Sequence, residues 1–258
     1  MGAANLRAVA ASDALVLHAA FDRPGGPAIG RDAGEQAGLE RLGIAIGDDV
    51  DAALIGADIV IDFTAPAASV ALADKAAALG IVDIIGTTGC SVEDDARIAA
   101  AASAGARIVK SGNFSLGVNL LLGLVEQAAR ALPGFDVEVL EMHHNKKVDA
   151  PSGTALMLGA AAARGRDVDL ASHAVRSRDG HTGARVAGTI GFATLRGGNV
   201  IGDHTVILAG PSERIELGHI ADNRALFADG AIRAALWAAD QAPGLYSMAD
   251  VLGFSQRG

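Results

Sequence analysis

The 258-residue chain is half apolar and one-fifth charged, and 21 Lys and Arg against 30 Asp and Glu give a formal charge of −9. That length suits one large or two modest domains, and so acidic a surface argues against nucleic acid or anionic lipid as a general partner. No apolar run reaches the roughly 18 residues of a membrane span, MGAANLRAVAAS lacks a signal pattern, and a lone Cys90 permits no internal disulfide and suits a reducing, cytoplasmic location.

The first half of the chain alternates between short apolar runs and Ala-rich stretches. NLRAVAAS (5–12) reads as helical and leads into ALVLHAAF (14–21), a buried strand by composition. ADIVIDFT (57–64), IVDIIGTTG (81–89) and ARIVKSGNF (106–114) are further strands. Between them, 66–80 and 91–105 read as helices, the second with Ser91 as N-cap and acidic residues in its first turn. Strands alternating with helices predict a doubly wound parallel sheet of the Rossmann kind. Ligands of such sheets bind beyond the carboxyl ends of the strands. Three strand ends carry suitable residues: Asp22 and Arg23, then Gly86, Thr87 and Thr88, then Ser111, Gly112, Asn113 and Phe114. An acidic residue can accept from an adenosine ribose, an arginine can pair with a 2′-phosphate, and small residues let a flat ring approach. Together they favour a dinucleotide.

The pattern then changes. Residues 114–132 form a long apolar helix closed by Pro133-Gly134, and 135–144 alternate as a half-exposed strand does. A helix through 154–165 and strand-like runs at 173–178, 189–196, 204–210 and 214–221 predict an α+β unit with an open mixed sheet. The last helix, 224–240, is expected to pack back on the first domain. The expected division is a dinucleotide-binding domain over 1–114, completed by 222–258, and a substrate-binding and oligomerisation domain over 115–221.

EVLEMHHNKKVDAPSGTA (138–155) gathers potential positive charge that the rest of the chain lacks. His143 and His144 point to opposite faces of a strand, and no further Cys, His or carboxylate spacing completes a metal site. Pro151-Ser152-Gly153-Thr154 opens a helix whose first N–H groups suit an anion. The reading is a carboxylate-binding loop with His143 or Lys147 as proton donor. His181 and His204 read as structural, and His18, His173 and His219 as packing or surface residues.

The same stretch fills every fixed position of E-x-x-E-x-H-x-x-x-K-x-D-x-P-S-G-T-A, and so resembles the signature of the 4-hydroxy-tetrahydrodipicolinate (dihydrodipicolinate) reductase family. IDFTAP (61–66), GTTG (86–89), NFSLGVN (113–119), SRDGHTGAR (177–185), GTIGFATLRGG (188–198) and GDHTV (202–206) extend the resemblance along the chain. It implies reduction of a cyclic dicarboxylate by NADH or NADPH in diaminopimelate and lysine biosynthesis, in a homotetramer. It implies that His143 and Lys147 are the catalytic pair. It implies that His144, Gly153 and Thr154 touch substrate, and that the strand-end residues above touch cofactor. The family's chains open with a strand and a G-x-x-G-R-M-G loop, of which Met1-Gly2 match the last two residues. A sheet lacking its first, central strand is therefore expected, and a non-catalytic oligomeric remnant without its cofactor half-site is the alternative reading.

Overall fold

Alternating apolar runs and Ala-rich segments fold as a parallel sheet between helices. The computed structural model describes residues 1–254, so the end of the 222–258 segment lies outside the described residues. They group into two units, Met1–Ser115 with 225–254, and Leu116–Arg224.

The first unit begins with α1 (Gly2–Ala10), β1 (Ala20–Phe21), α2 (Ala33–Ala37), β2 (Ile46–Gly47) and α3 (Val50–Leu54). It continues with β3 (Ile59–Asp62), α4 (Pro66–Leu79), β4 (Val82–Ile85), α5 (Val92–Ser103) and β5 (Arg107–Lys110). Ser91 caps α5 as expected: its Oγ accepts from Asp94 N at 3.1 Å, and Asp94 Oδ2 accepts from Ser91 N at 2.8 Å. Strands β3, β4 and β5 are parallel neighbours. Helices α4 and α5 cover one face of this sheet with Val70, Leu72, Ala73 and Ile98 against Val60, Ile85 and Ile108. The last long helix does return to this unit.

The second unit comprises α6 (Leu116–Ala131), β6 (Asp136–His143), α7 (Gly153–Arg166), α8 (Leu170–His173), β7 (Ala174–Val175), β8 (Ile190–Arg196), β9 (Asp203–Ala209) and β10 (Arg214–Ile220). Back in the first unit, α9 (Ala225–Ala239), β11 (Gly244–Tyr246) and α10 (Met248–Val251) follow. Helix α9 lays Ala231, Ala234, Ala235 and Ala238 on the other face of the parallel sheet, against Val82, Ile84 and Val109. Strand β11 adds parallel to β5, giving the order β11-β5-β4-β3.

Two expectations fail locally. The run 14–21 forms a strand only at Ala20–Phe21, parallel to β2 in a separate two-stranded sheet, and Val16 is 90% exposed. Among the described residues no strand pairs with Ala14 to Ala19, so nothing offers them a ladder that would hold them extended. The run 173–178 pairs only at Ala174–Val175, and His173 closes α8 instead of lying in a strand.

The second unit's five-stranded sheet has the order β10-β9-β6-β8-β7. β6 pairs parallel with β8 and antiparallel with β9, so the sheet is mixed. Helices α6 and α7 bury Leu121, Val125, Leu158 and Ala162 against Val137, Val139, Ile190, Phe192, Val206 and Leu208. The strict inside-outside alternation of β6 puts Glu141 and His143 on that helix-covered side, at its carboxyl end.

Candidate active site

The carboxyl end of β6 and the start of α7 meet in the second unit. Ser152 is the N-cap of α7: its Oγ accepts from Ala155 N at 3.1 Å. Its own N–H donates to Glu141 Oε1 at 3.0 Å, which ties the helix start to the strand. Glu141 is 1% exposed and is also gripped by Arg196 at the end of β8, Nη1 to Oε2 at 2.8 Å and Nη2 to Oε1 at 2.9 Å. His143 Nδ1 lies 2.6 Å from Glu141 Oε2. Burial pushes the Glu141 carboxyl up, but the Arg196 fork, His143 and the Ser152 N–H together hold it below the ordinary value. It is a buried carboxylate.

His204, from β9, stands edge-on to His143 with ring centres 5.1 Å apart. Its Nε2 lies 3.0 Å from Ser152 Oγ. Burial first, and then the neighbouring His143, lower its value to about 4, so His204 is neutral near neutral pH. Lys147 forms an ion pair with Asp149 Oδ1 at 2.7 Å, and that lysine holds the Asp149 carboxyl low. The Lys147 backbone N–H donates to His144 O at 3.1 Å, which closes the loop turn directly after the histidine pair in sequence. His144 is half-buried, Lys146 and Gly153 are exposed, and Thr154 is half-buried. A Cβ at Gly153 would meet nothing within 4 Å, which leaves open space for a ligand at the helix start.

In the first unit, Gly86–Thr88 and Ser111–Phe114 follow the neighbouring parallel strands β4 and β5, whereas Asp22 and Arg23 follow β1 in the separate two-stranded sheet. Thr64 N donates to Thr87 Oγ1 at 2.9 Å and to Asp62 Oδ1 at 2.9 Å, which links the turns after β3 and β4. Thr87 is buried, Thr88 is exposed, and Gly86 is half-buried. The space beside Gly86 is filled by the Phe63 ring, so the flat ring that approaches it is internal. Ser111 Oγ accepts from Asn113 N at 3.2 Å and donates to Asn113 O at 2.7 Å. Asn113 Oδ1 in turn accepts from Ser115 N at 2.8 Å. Asn113 and Phe114 are buried, while Gly112 is exposed. Asp22 and Arg23 are exposed just beyond β1, with Asp22 Oδ1 accepting from Arg23 N at 2.7 Å.

Two family models match the chain: the dihydrodipicolinate reductase N-terminus over residues 1–114, and the dihydrodipicolinate reductase C-terminus over 117–252. The chain belongs to the dihydrodipicolinate reductase family. Among the relatives of this reductase is the 4-hydroxy-tetrahydrodipicolinate reductase of Rhizobium rhizogenes (strain K84), 64% identical over 259 residues, covering 100% of this chain and 94% of that one. Another, of the same name, from Allorhizobium ampelinum, is 61% identical over 257 residues, covering 99% and 95%. A solved dipicolinate-bound dihydrodipicolinate reductase from Paenisporosarcina sp. TG-14 shares the fold with a TM-score of 0.77 at 22% identity, over 95% of this chain and 92% of that one.

The cluster around His143 also holds Glu141 and Arg196, which the sequence does not single out, and His204, expected to be structural; Ser152 is expected only as part of the helix-opening Pro151–Thr154 run. Glu141 was visible as a fixed signature position, and the alternating β6 pattern could have placed it beside His143. Arg196 and His204 come from strands 55 and 52 residues away from their partners, which no local pattern shows.

Proposed function

We propose that the protein reduces 4-hydroxy-tetrahydrodipicolinate to tetrahydrodipicolinate with NADH or NADPH. It acts in the cytoplasm, in diaminopimelate and lysine biosynthesis, with His143 as proton donor. The observation that carries this reading is the buried His143 tied to the Glu141 carboxylate at the edge of an open helix start. The non-catalytic remnant gains nothing from the site, in which every fixed position of the family signature is filled.

A nicotinamide, when bound, supplies a hydride to an electron-poor carbon of the substrate ring. The residues of the first unit fit such a group. Exposed Thr88 and Gly112 stand on turns braced from beneath by Thr87, Ser111 and Asn113, at the strand ends where nucleotides bind. Exposed Asp22 suits the ribose hydroxyls of NADH, and Arg23 suits the 2′-phosphate of NADPH.

In the second unit, the start of α7 at Gly153 and Thr154 binds a substrate carboxylate, helped by the helix dipole. His144 and Lys147 add charge-assisted contacts to the dianion. His143 then donates the proton that quenches the electron density left by hydride addition, a contribution of roughly 10²–10⁴-fold. Lys147, paired with Asp149, orients the substrate. The sheet face away from α6 and α7 carries exposed Leu195 and Ile220, and we assign it to contacts between copies in a homotetramer. Sedimentation of the purified chain checks this, and a monomer at micromolar concentration would contradict it.

The function is tested by NADH and NADPH oxidation with substrate made in situ by a coupled synthase. Turnover with either cofactor supports the reading, and no substrate-dependent oxidation with either refutes it. Arg23→Ala lowers kcat/KM for NADPH several-fold and leaves NADH within about twofold, since a lost phosphate contact is worth on the order of 1 kcal/mol or more.

A further inference from the structure

We propose that Glu141 and Arg196 are positioning residues that fix a proton on His143 Nδ1, and that Gly202 keeps Nε2 open, so that the donated proton leaves from Nε2 alone. The inference rests on the reading of His143 as the donor.

A carboxylate has about four acceptor positions. In Glu141 all four face donors or a ring nitrogen: Ser152 N and Arg196 Nη2 on Oε1, Arg196 Nη1 and His143 Nδ1 on Oε2. The fork cannot swing away, because Arg196 Nη2 also donates to Asp149 O at 2.6 Å and Nη1 to Leu195 O at 2.6 Å. Glu141 stays ionised because these partners outweigh its burial, and an ionised carboxylate only accepts. The hydrogen of the 2.6 Å contact therefore belongs to Nδ1. The other ring nitrogen faces Gly202. A Cβ there would lie 3.0 Å from His143 Nε2 and 3.4 Å from His204 Cε1. His204 turns its own Nε2 to Ser152 Oγ, so it does not occupy His143 Nε2.

The imidazolium carries hydrogens on both nitrogens. The Nε2 hydrogen passes to the substrate atom that holds the electron pair left by hydride addition. Neutral imidazole remains, with Nδ1–H still on Glu141, and solvent restores the proton on Nε2. Arg196 and Ser152 keep Glu141 from taking the Nδ1 hydrogen, much as a buried aspartate orients a catalytic histidine.

The test is ¹⁵N NMR of His143 in the full chain without cofactor or substrate, at a pH alkaline enough for the ring to be neutral. The wild type is expected to show a pyrrole-type Nδ1 and a pyridine-type Nε2. Glu141→Gln, whose amide can donate as well as accept, is expected to mix the two tautomers. It should lower kcat at least tenfold and up to about 10⁴-fold, the loss seen when the carboxylate behind a catalytic histidine becomes an amide, with KM for NADH unchanged. Glu141→Asp is expected to restore part of the tautomer bias. Gly202→Ala is expected to keep Nδ1–H yet lower kcat at least tenfold, because a methyl group stands over Nε2. A wild-type ring protonated on Nε2, or an unchanged tautomer in a folded Glu141→Gln, overturns the proposal. If Glu141→Gln does not fold, the wild-type tautomer and Gly202→Ala decide. Full activity in His143→Gln would instead remove His143 as donor, an outcome separate from the tautomer result.

Discussion

His143, Lys147, Gly153 and Thr154 lie within twelve residues of one another and were legible because chemistry and sequence coincide there. The groups that aim them were not, since β8 and β9 deliver Arg196 and His204 through tertiary pairing alone. Each carries a stability consequence. Glu141→Ala leaves the Arg196 guanidinium without its carboxylate and is expected to cost about 3–5 kcal/mol in urea unfolding. A loss under ~1 kcal/mol would show that the pair is solvated. Two groups give this site an acid dependence of the same sign. His204 has its value lowered from 6.5 to about 4 by burial. The unfolded chain therefore binds the proton first, and stability falls as pH drops from about 6.5 towards 4, by about 3 kcal/mol in full. Glu141 is held low, so its contribution is present above the unfolded carboxylate value and is lost as pH falls through the folded one. His204→Phe, which keeps a buried ring and removes the titration, is expected to flatten the upper part of that curve. An unchanged slope between pH about 6.5 and 5 would contradict the assignment.

At the scale of elements, most helices and strands followed from periodicity and caps. Helix α5 is the clearest case, and Ser91→Ala is expected to cost about 1 kcal/mol by thermal melting. The run 14–21 misled because an apolar composition makes a strand only where a neighbour offers a ladder, and this run has one only at Ala20 and Phe21. Strand β4 holds a different surprise. Asp83 is fully buried among Ile and Val, and neither of its oxygens has a hydrogen-bond partner among the described residues. Burial, and then Asp62, push its carboxyl well above the ordinary range, which favours the protonated form in the folded unit. Its sign is opposite to that of Glu141. Stability is full below the unfolded value near 4 and declines as pH rises towards the raised folded value. Asp83→Val removes an unsatisfied polar group and adds a β-former. It is expected to stabilise the first unit by about 1–3 kcal/mol and to remove this decline. A destabilised variant would mean that the carboxyl has a partner after all.

At the scale of the whole molecule, the two units differ in their response to acid. The second contains His204 and Glu141, which weaken it as pH falls, and the first contains Asp83, which strengthens it. The chain has one tryptophan, Trp237, in helix α9 of the first unit, packed edge-on to Tyr246 at 5.1 Å. Trp fluorescence therefore reports on the first unit, while far-UV circular dichroism reports on both. On acid titration the dichroism is expected to change at higher pH than the fluorescence. Coincident transitions would show a single cooperative unit instead. The two-part plan was readable in the change of pattern near residue 115. The separation of β1 and β2 from the main sheet was not legible, because local pattern does not show which strands are neighbours.

Proton donation by His143 in a nicotinamide-dependent reduction is measured most directly by single-turnover reduction in wild type and His143→Gln at saturating cofactor and substrate. The single-turnover rate of the variant is expected to fall by about 10²–10⁴-fold. A variant that turns over within a few-fold of wild type would contradict it.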